Sequence, residues 1–217
     1  MATEDAPSGP NGSSGPDGSS EPTGLAGPSA QAAGSAGPSG PIGPFPDGVD
    51  PVEYDRMRRR VLWRLPMGLY LLGSTSADRS HLNLMTLNWA MQVSLQPKHL
   101  AVSVETHAVT HGLVSDGRCF SLSLVNREQR AEVRKFVKPA PHDQAARTLA
   151  GMPYRTATTG APIPELAIAW IECEVRHDLN CGSHTLFVGE VVNAGFAEGG
   201  EDAPVLRMED TRMSYGG

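Results

Sequence analysis

Short stretches of alternating hydrophobic and polar residues predict a chain that is mainly β from about Gly68 onward. The last two stretches are predicted to pair antiparallel across a turn at Asn180, Cys181 and Gly182. Because strands and helices do not alternate regularly, the pattern favours a β-barrel with peripheral helices over a parallel sheet. The expected strands cover residues 68–76, 81–95, 99–104, 118–125, 166–176 and 185–194.

Helical spacing and capping residues predict helices at the periphery of this barrel. Asp50, Pro51 and Glu53 stand in the order that begins a helix, with a cap, a proline at the first position and an acid in the first turn. Asn126 is expected to cap a second helix in the same way. The expected helices cover residues 51–65, 108–115, 127–137 and 142–150.

Two segments stand apart from regular secondary structure by their composition. Residues 140–165 are rich in Pro, Gly and Thr, and a connection this long predicts a cover over a functional site. The stretch 81–95 carries many amide and hydroxyl side chains on strands that are otherwise apolar. Such groups are rarely buried without a polar partner, so we expect a ligand here; a half-buried strand with exposed hydroxyls is the alternative.

Composition divides the chain at about residue 50. The first fifty residues contain no Lys or Arg, and their six acids account for the whole net charge of -6. The same residues are mostly Gly, Pro, Ser and Ala, which cannot bury enough apolar surface to offset the entropy of ordering. We therefore predict a disordered tail over residues 1–50 and one folded domain over residues 51–217.

The folded part offers no feature of a nucleic-acid or membrane protein. Its balanced charge gives no reason to expect nucleic acid, and no apolar run reaches the length of a membrane span. No export signal is evident, so a cytoplasmic location is expected. Cys119, Cys173 and Cys181 form no even framework and are expected to be reduced thiols.

Several sequence blocks, taken in their order, resemble the flavin reductase-like family. They are PMGLYLLGS, NLMTLNWAMQVSLQPKHLAVSV, AVTHGL, FSLSLVNREQRAEVRKFV, AWIECEV and CGSHTLFVGEVV. The resemblance implies a six-stranded antiparallel Greek-key split β-barrel of the FMN-binding type, and a homodimer with FMN near its interface. It also implies an NAD(P)H-dependent flavin oxidoreductase that transfers hydride from nicotinamide to FMN and supplies reduced flavin to a partner monooxygenase. The alternative is an FMN-binding flavoprotein without reductase activity, either an electron carrier or an enzyme acting on its own metabolite.

The predicted flavin site follows from these blocks. Strand backbone before Trp89 is expected to offer amides and carbonyls to the polar edge of the isoalloxazine, and Trp89 is expected to pack on the ring. Ser94 and Thr110 match residues that the family places near the ribityl phosphate, and the helix after Thr110 favours an anion. The predicted cofactor-binding residues are Met85, Thr86, Leu87, Asn88, Trp89, Gln92, Ser94, Thr106, Thr110 and Lys138.

Two departures from the family pattern affect that site. Relatives often have Asn-Gly where this chain has Asn83 and Leu84, so we expect a reshaped loop beside the ring. The usual basic residue before Thr110 is also missing, which leaves Arg134, Lys135 or Lys138 to approach the phosphate. The sequence therefore predicts weak or exchangeable FMN binding.

His184 is the predicted catalytic residue. The chain has Gly182, Ser183 and His184 where relatives commonly have Gly-Asp-His, and in several relatives that histidine lies over the flavin and contacts the nicotinamide. A structural role in the turn is the alternative for this histidine. The spacing C-x3-H-x3-C-x2-H from Cys173 to His184 contains zinc ligand types but matches no compact zinc motif, so no metal is expected. No G-x-G-x-x-G motif indicates a choice between NADH and NADPH.

Overall fold

The computed structural model of the protein describes residues 40–213, all of them within one compact unit. The predicted disorder of residues 1–39 therefore lies outside the described residues. The two α-helices of the described part are α1 (Pro51–Leu62) and α2 (Val109–Gly117). The strands are β1 (Tyr70–Thr75), β2 (Leu82–Leu87), β3 (Ala90–Leu95), β4 (Lys98–Glu105), β5 (Cys119–Val125), β6 (His142–Asp143), β7 (Thr148–Leu149), β8 (Met152–Thr156), β9 (Pro162–Pro164), β10 (Ala167–Asn180) and β11 (His184–Phe196).

The main sheet is a split barrel. Its seven strands have the order β2-β1-β5-β10-β11-β4-β3, and every neighbouring pair is antiparallel. β2 and β3 are its two edges, yet only Asn88 and Trp89 separate them in the chain. That connection spans at most about 11 Å, so the sheet must curl until its edges approach each other. No hydrogen-bonded ladder joins β2 to β3 in the described residues, which leaves the barrel open there.

The mainly β prediction is confirmed, with one difference in strand number. All six predicted strands are present, but the stretch 81–95 forms two strands because the chain turns at Asn88 and Trp89. β4 and β5 follow each other in the chain, but β10 and β11 lie between them in the sheet, and β5 pairs with β1 on its other side. This arrangement is typical of a Greek key. β10 and β11 are longer than predicted because they pair with each other beyond the end of β5.

The barrel interior is one continuous hydrophobic core. Leu72, Leu122 and Phe187 come from three different strands and lie in it together with Phe120. Val114 of α2 belongs to the same cluster and covers one end of the barrel. Alternate residues of these strands point outward, where part of the barrel surface is apolar as well.

A second core lies on the outer face of β1, β2 and β5. Leu71, Leu84 and Val125 of these strands pack there against the segment that follows β5. That segment forms a small sheet with the order β6-β7-β8-β9. The residues it contributes include Val133, Phe136, Ala140, Leu149 and Tyr154. The long segment 140–165 is thus a packed layer on the barrel wall.

Two predicted helices are wrong in this layer. Residues 142–150 contain β6 and β7, and Leu149 is fully buried in the second core instead of lying on a helix face. Residues 127–137 form two 3-10 turns, Arg127–Gln129 and Glu132–Phe136. The Asn126 cap is present, because its Oδ1 accepts from the Glu128 amide at 3.0 Å. The tighter 3-10 winding directs Val133 and Phe136 toward the same face, where both enter the second core.

Helix α1 begins as predicted. The Asp50 carboxylate accepts from the Glu53 amide at 2.9 Å, and Pro51 occupies the first position. Arg58 donates to the carbonyls of Ile42 and Pro44, so contacts to the helix extend before Pro51. The domain boundary at residue 50 stays a prediction.

A buried carboxylate fastens the outer layer to the barrel. Glu172 of β10 is fully buried and accepts from the Thr158 amide (3.1 Å), the Thr159 amide (2.8 Å), the Thr159 hydroxyl (2.7 Å) and Asn193 Nδ2 (2.6 Å). Burial raises the pKa of the Glu172 carboxyl, but these hydrogen bonds outweigh it and hold the pKa below its ordinary value. The ionised form of Glu172 is therefore part of the folded structure.

Glu172→Gln is expected to lower the free energy of unfolding by about 2–3 kcal/mol at pH 7. The side-chain NH₂ of glutamine would face N–H and O–H donors that now donate to a carboxylate oxygen. A carboxyl group whose pKa is lower in the folded protein stabilises the folded state at pH values above its unfolded pKa of about 4.3. This stabilisation is lost as the pH falls through the folded pKa. Urea titrations should show the difference from wild type shrinking below about pH 4. Exposed Glu165→Gln is the control; a difference that persists unchanged in acid would contradict the prediction.

Candidate functional site

His184 is held at the junction of two strands. It is the first residue of β11 and lies directly opposite Glu105, the last residue of β4. The Ser183 carbonyl accepts from the Thr106 amide at 3.0 Å and from the Thr106 hydroxyl at 3.3 Å. The His184 carbonyl accepts from the Cys181 amide at 2.8 Å. These bonds fix the backbone on both sides of the imidazole.

Trp89 and His184 are in contact. Their ring centroids are 4.8 Å apart, with the planes tilted by 55°. The Trp89 carbonyl accepts from the Ser103 amide at 3.0 Å, which ties the β2–β3 turn to β4. His184 Nδ1 lies 2.9 Å from the Ser183 hydroxyl. Burial lowers the pKa of His184, and the charge of Glu105 opposes part of that change, so the imidazole is mainly neutral near pH 7.

A groove of about 710 Å³ lies between the chain after α1, the start of β1 and the last described residues. This volume is in the range of small-molecule and cofactor sites. Burial raises the pKa of Tyr70, which lines the groove and pairs with Leu87. Met67 also lines it, and its sulfur accepts from Asn88 Nδ2 at 3.4 Å. Other lining residues are Trp63, Arg64, Arg207, Met208, Glu209 and Met213.

The predicted site residues fall into two groups. Trp89, Thr106 and His184 come together, and Leu87 and Asn88 contact residues of the groove. Met85 and Leu87 pack in or against the barrel core. Gln92 is exposed on β3 and donates to the Ser94 carbonyl at 3.1 Å, while Lys138 is exposed after the second 3-10 turn. None of the predicted site residues lines the groove itself, Trp89 and His184 included, and the roles of Gln92, Ser94 and Lys138 stay predictions.

Several predicted polar side chains bind other parts of the protein. The Thr86 hydroxyl donates to the Val133 carbonyl. The Thr110 side chain is 1% exposed, and its hydroxyl accepts from Asn83 Nδ2 at 2.8 Å. Asn83 Oδ1 in turn accepts from the Ala140 amide at 3.0 Å. Asn83 therefore connects β2, α2 and the outer layer.

The reshaped loop expected at Leu84 is not found. Asn83 and Leu84 lie in regular β2, and Leu84 pairs with Gly73 and is buried in the second core. No positive φ occurs at either residue. A strand in this position needs no glycine, because its backbone is extended.

The zinc alternative has no support among residues 40–213, where no group of three or more His, Cys, Asp or Glu side chains is arranged for a metal. Cys173 lies inside the barrel, where burial raises the pKa of its thiol to about 12, and Cys181 is exposed in the hairpin turn. No helix within the same residues is long and apolar enough to cross a membrane.

Sequence reasoning missed Glu105 and the lining of the groove. Glu105 stands beside predicted Thr106, but its opposition to His184 depends on the register of β4 with β11. Arg64 and Arg207 come from opposite ends of the described fold and meet only at the groove. No local signal in the sequence connects them.

Residues 62–216 match the family model described as flavin reductase like domain. The chain belongs to this family. It is 30% identical over 157 residues to the ferric-chelate reductase (NAD(P)H) of Archaeoglobus fulgidus, which covers 70% of this chain and 88% of that protein. By contrast, it spans only 21% to 24% of the length of diflavin flavoproteins from Nostoc and Synechocystis.

Solved structures give the same fold. The NADH:FAD oxidoreductase of Streptomyces globisporus superposes with a TM-score of 0.61 at 25% identity, covering 76% of this chain and 93% of that one. The styrene monooxygenase flavin reductase of Pseudomonas putida superposes with a TM-score of 0.54 at 27% identity, covering 64% and 86%. The predicted family and its split-barrel fold are confirmed.

Thr110→Val is expected to lower the free energy of unfolding of the flavin-free protein by about 1–3 kcal/mol, because Asn83 Nδ2 loses a buried acceptor. Thr110→Ser keeps the hydroxyl and is the matched control. Denaturant titrations of both variants without flavin check this. Unchanged stability of the valine variant would contradict a structural role of the hydroxyl.

Proposed function

We propose that the chain is an FMN-binding, NAD(P)H-dependent flavin oxidoreductase. The observation that carries the proposal is the Trp89–His184 contact at 4.8 Å, in a family of flavin reductases. The Streptomyces relative is named an NADH:FAD oxidoreductase, which supports flavin reduction by a nicotinamide cofactor. The Pseudomonas putida relative is named a flavin reductase, and the Archaeoglobus relative a reductase that uses NAD(P)H. FMN is proposed as the flavin, and FAD is the alternative that a binding assay distinguishes.

The residues present fit a flavin. The ring is flat and apolar with a polar edge, and the groove beside Leu87 and Asn88 has aromatic and thioether walls. Arg64 lines the groove and forms no salt bridge within residues 40–213, so it offers the cation that the sequence pattern lacked. Arg207 lines it as well and is paired with Glu209 at 3.1 Å.

The flavin, when bound, supplies the ring that accepts a hydride from nicotinamide. In our proposal Trp89 packs against one of the two ring systems and excludes water from it. His184 hydrogen-bonds the nicotinamide amide or provides the proton that accompanies reduction. Its backbone is held by Thr106 and Cys181, which fixes the imidazole before either ligand arrives.

Delivery of reduced flavin to a separate monooxygenase is the proposed role of the product. The Pseudomonas putida relative is named as the reductase of a styrene monooxygenase, and this supports such a partner.

FMN-loaded wild type, mixed anaerobically with NADH or NADPH, is expected to lose flavin absorbance rapidly. His184→Ala should slow this reduction by about 100-fold, because one positioned proton donor contributes at least that factor. His177→Ala on the same hairpin is the control and should reduce FMN at the wild-type rate. If FMN binds and neither nicotinamide bleaches it, the reductase proposal fails and a flavoprotein without reductase activity takes its place.

We further propose that the protein is a homodimer. Met91, Val93 and Leu95 of edge strand β3 are exposed to 65%, 47% and 79%, and a register shift between Gln92 and Ser94 interrupts the alternation of the strand there. Helix α1 also exposes Met57 and Val61. Exposed apolar side chains of this kind are typical of protein interfaces, and a second copy presents the same side chains.

Light scattering is expected to give a mass near twice the 23.0 kDa of the chain. Val93→Asp combined with Leu95→Asp should shift the protein to monomer, because two charges would be buried in the interface. Leu179→Asp is the control, since Leu179 is exposed to 61% on the β10–β11 hairpin, away from β3. A wild-type monomer would overturn the dimer.

A further inference from the structure

Glu105 and His184 form a cross-strand pair. They are direct partners in the antiparallel β4–β11 ladder, so their side chains leave the sheet on the same face. Directly opposed residues in such a ladder have Cβ atoms about 4.5–5.5 Å apart. The two hydrogen bonds from Thr106 to the Ser183 carbonyl hold this register immediately beside the pair.

Glu105 is the charged residue that lies directly opposite His184. Its carboxylate is half-buried and forms no salt bridge within residues 40–213. The Cys181 thiol, in the hairpin turn, donates to the Leu179 carbonyl instead. Trp89 of the β2–β3 turn carries no charge.

Two other histidines near the site have different surroundings. His107 is exposed in the turn after β4. His111 of α2 lies 2.8 Å from the Thr185 hydroxyl, and Thr185 faces the opposite side of β11 from His184. Among residues 40–213, Glu105 is therefore the negatively charged residue that lies opposite the His184 imidazole.

We propose that Glu105 acts on the His184 imidazole through its charge, across the strand pair, and favours the protonated, donor form of His184. The neighbouring Ser183 provides a hydroxyl 2.9 Å from Nδ1 but no charge, so the carboxylate comes from the adjacent strand. This inference rests on the proposed reductase function for its catalytic meaning. The Glu105–His184 coupling itself does not depend on it.

The reaction that this pair serves balances with one proton. The hydride leaves C4 of the dihydronicotinamide with two electrons, and NAD(P)H becomes NAD(P)⁺ while FMN is reduced. His184 gives the accompanying proton, so NAD(P)H, FMN and one H⁺ yield NAD(P)⁺ and FMNH₂, and solvent returns the proton to the imidazole. Glu105 acts through His184 and does not contact the reacting atoms.

The test is an NMR titration of the His184 imidazole in the full-length protein without flavin, in wild type, Glu105→Gln and Glu105→Asp. Removal of the negative charge should lower the titration midpoint of His184 by about one pH unit, and aspartate should restore most of it. Exposed Glu128→Gln changes the net charge equally and should leave the midpoint in place. A midpoint that is the same in Glu105→Gln and Glu128→Gln overturns the proposal.

Single-turnover flavin reduction as a function of pH gives the second measurement. In Glu105→Gln the decline of the rate with rising pH should begin about one unit lower than in wild type, with little change in KM for the nicotinamide. An unshifted profile in an active Glu105→Gln enzyme also overturns the proposal. If wild type reduces no flavin, the reductase function fails, while the NMR midpoint still decides whether Glu105 controls His184.

Discussion

The two-residue connection between β2 and β3 is the constraint on which the rest of the structure depends. It joins the opposite edges of a seven-stranded sheet, so the sheet curls around one apolar core without a ladder between those edges in the described residues. The same connection places Trp89 beside β4, where the Ser103 amide binds its carbonyl, and brings its ring against His184. The connection that curls the sheet therefore also brings Trp89 to His184 in the candidate site.

Buried polar side chains near this connection serve mainly to hold layers together. Asn83, Thr86 and Thr110 bind one another or backbone groups of the outer layer, and Glu172 binds the loop that contains Thr158 and Thr159. Each satisfies a group that would otherwise be costly to bury. The polar residues that first indicate a ligand are thus partly structural, and the groove in which we propose the flavin is lined by other residues, among them Tyr70, Met67 and Arg64.

In the proposed reductase site, two neighbouring strands supply the two ionisable side chains. β11 carries the imidazole and β4 carries the carboxylate opposite it. Thr106 and Ser183 lock the two strands together at that level. These bonds hold the backbone that carries His184, which is what the proposed proton donor requires.

The amino-acid sequence by itself determined the strands, the family and the candidate histidine, because alternation of apolar residues and the order of motif blocks are local properties of the chain. It did not determine the form of residues 127–150, where the need to bury Val133, Phe136 and Leu149 against the barrel overrode helical spacing. Nor did it determine which polar residues face a ligand: Thr110 matches a phosphate-site pattern, yet its hydroxyl is bound by Asn83. The Glu105–His184 pair and the groove depend on strand register and on residues far apart in the chain, and only tertiary packing sets these.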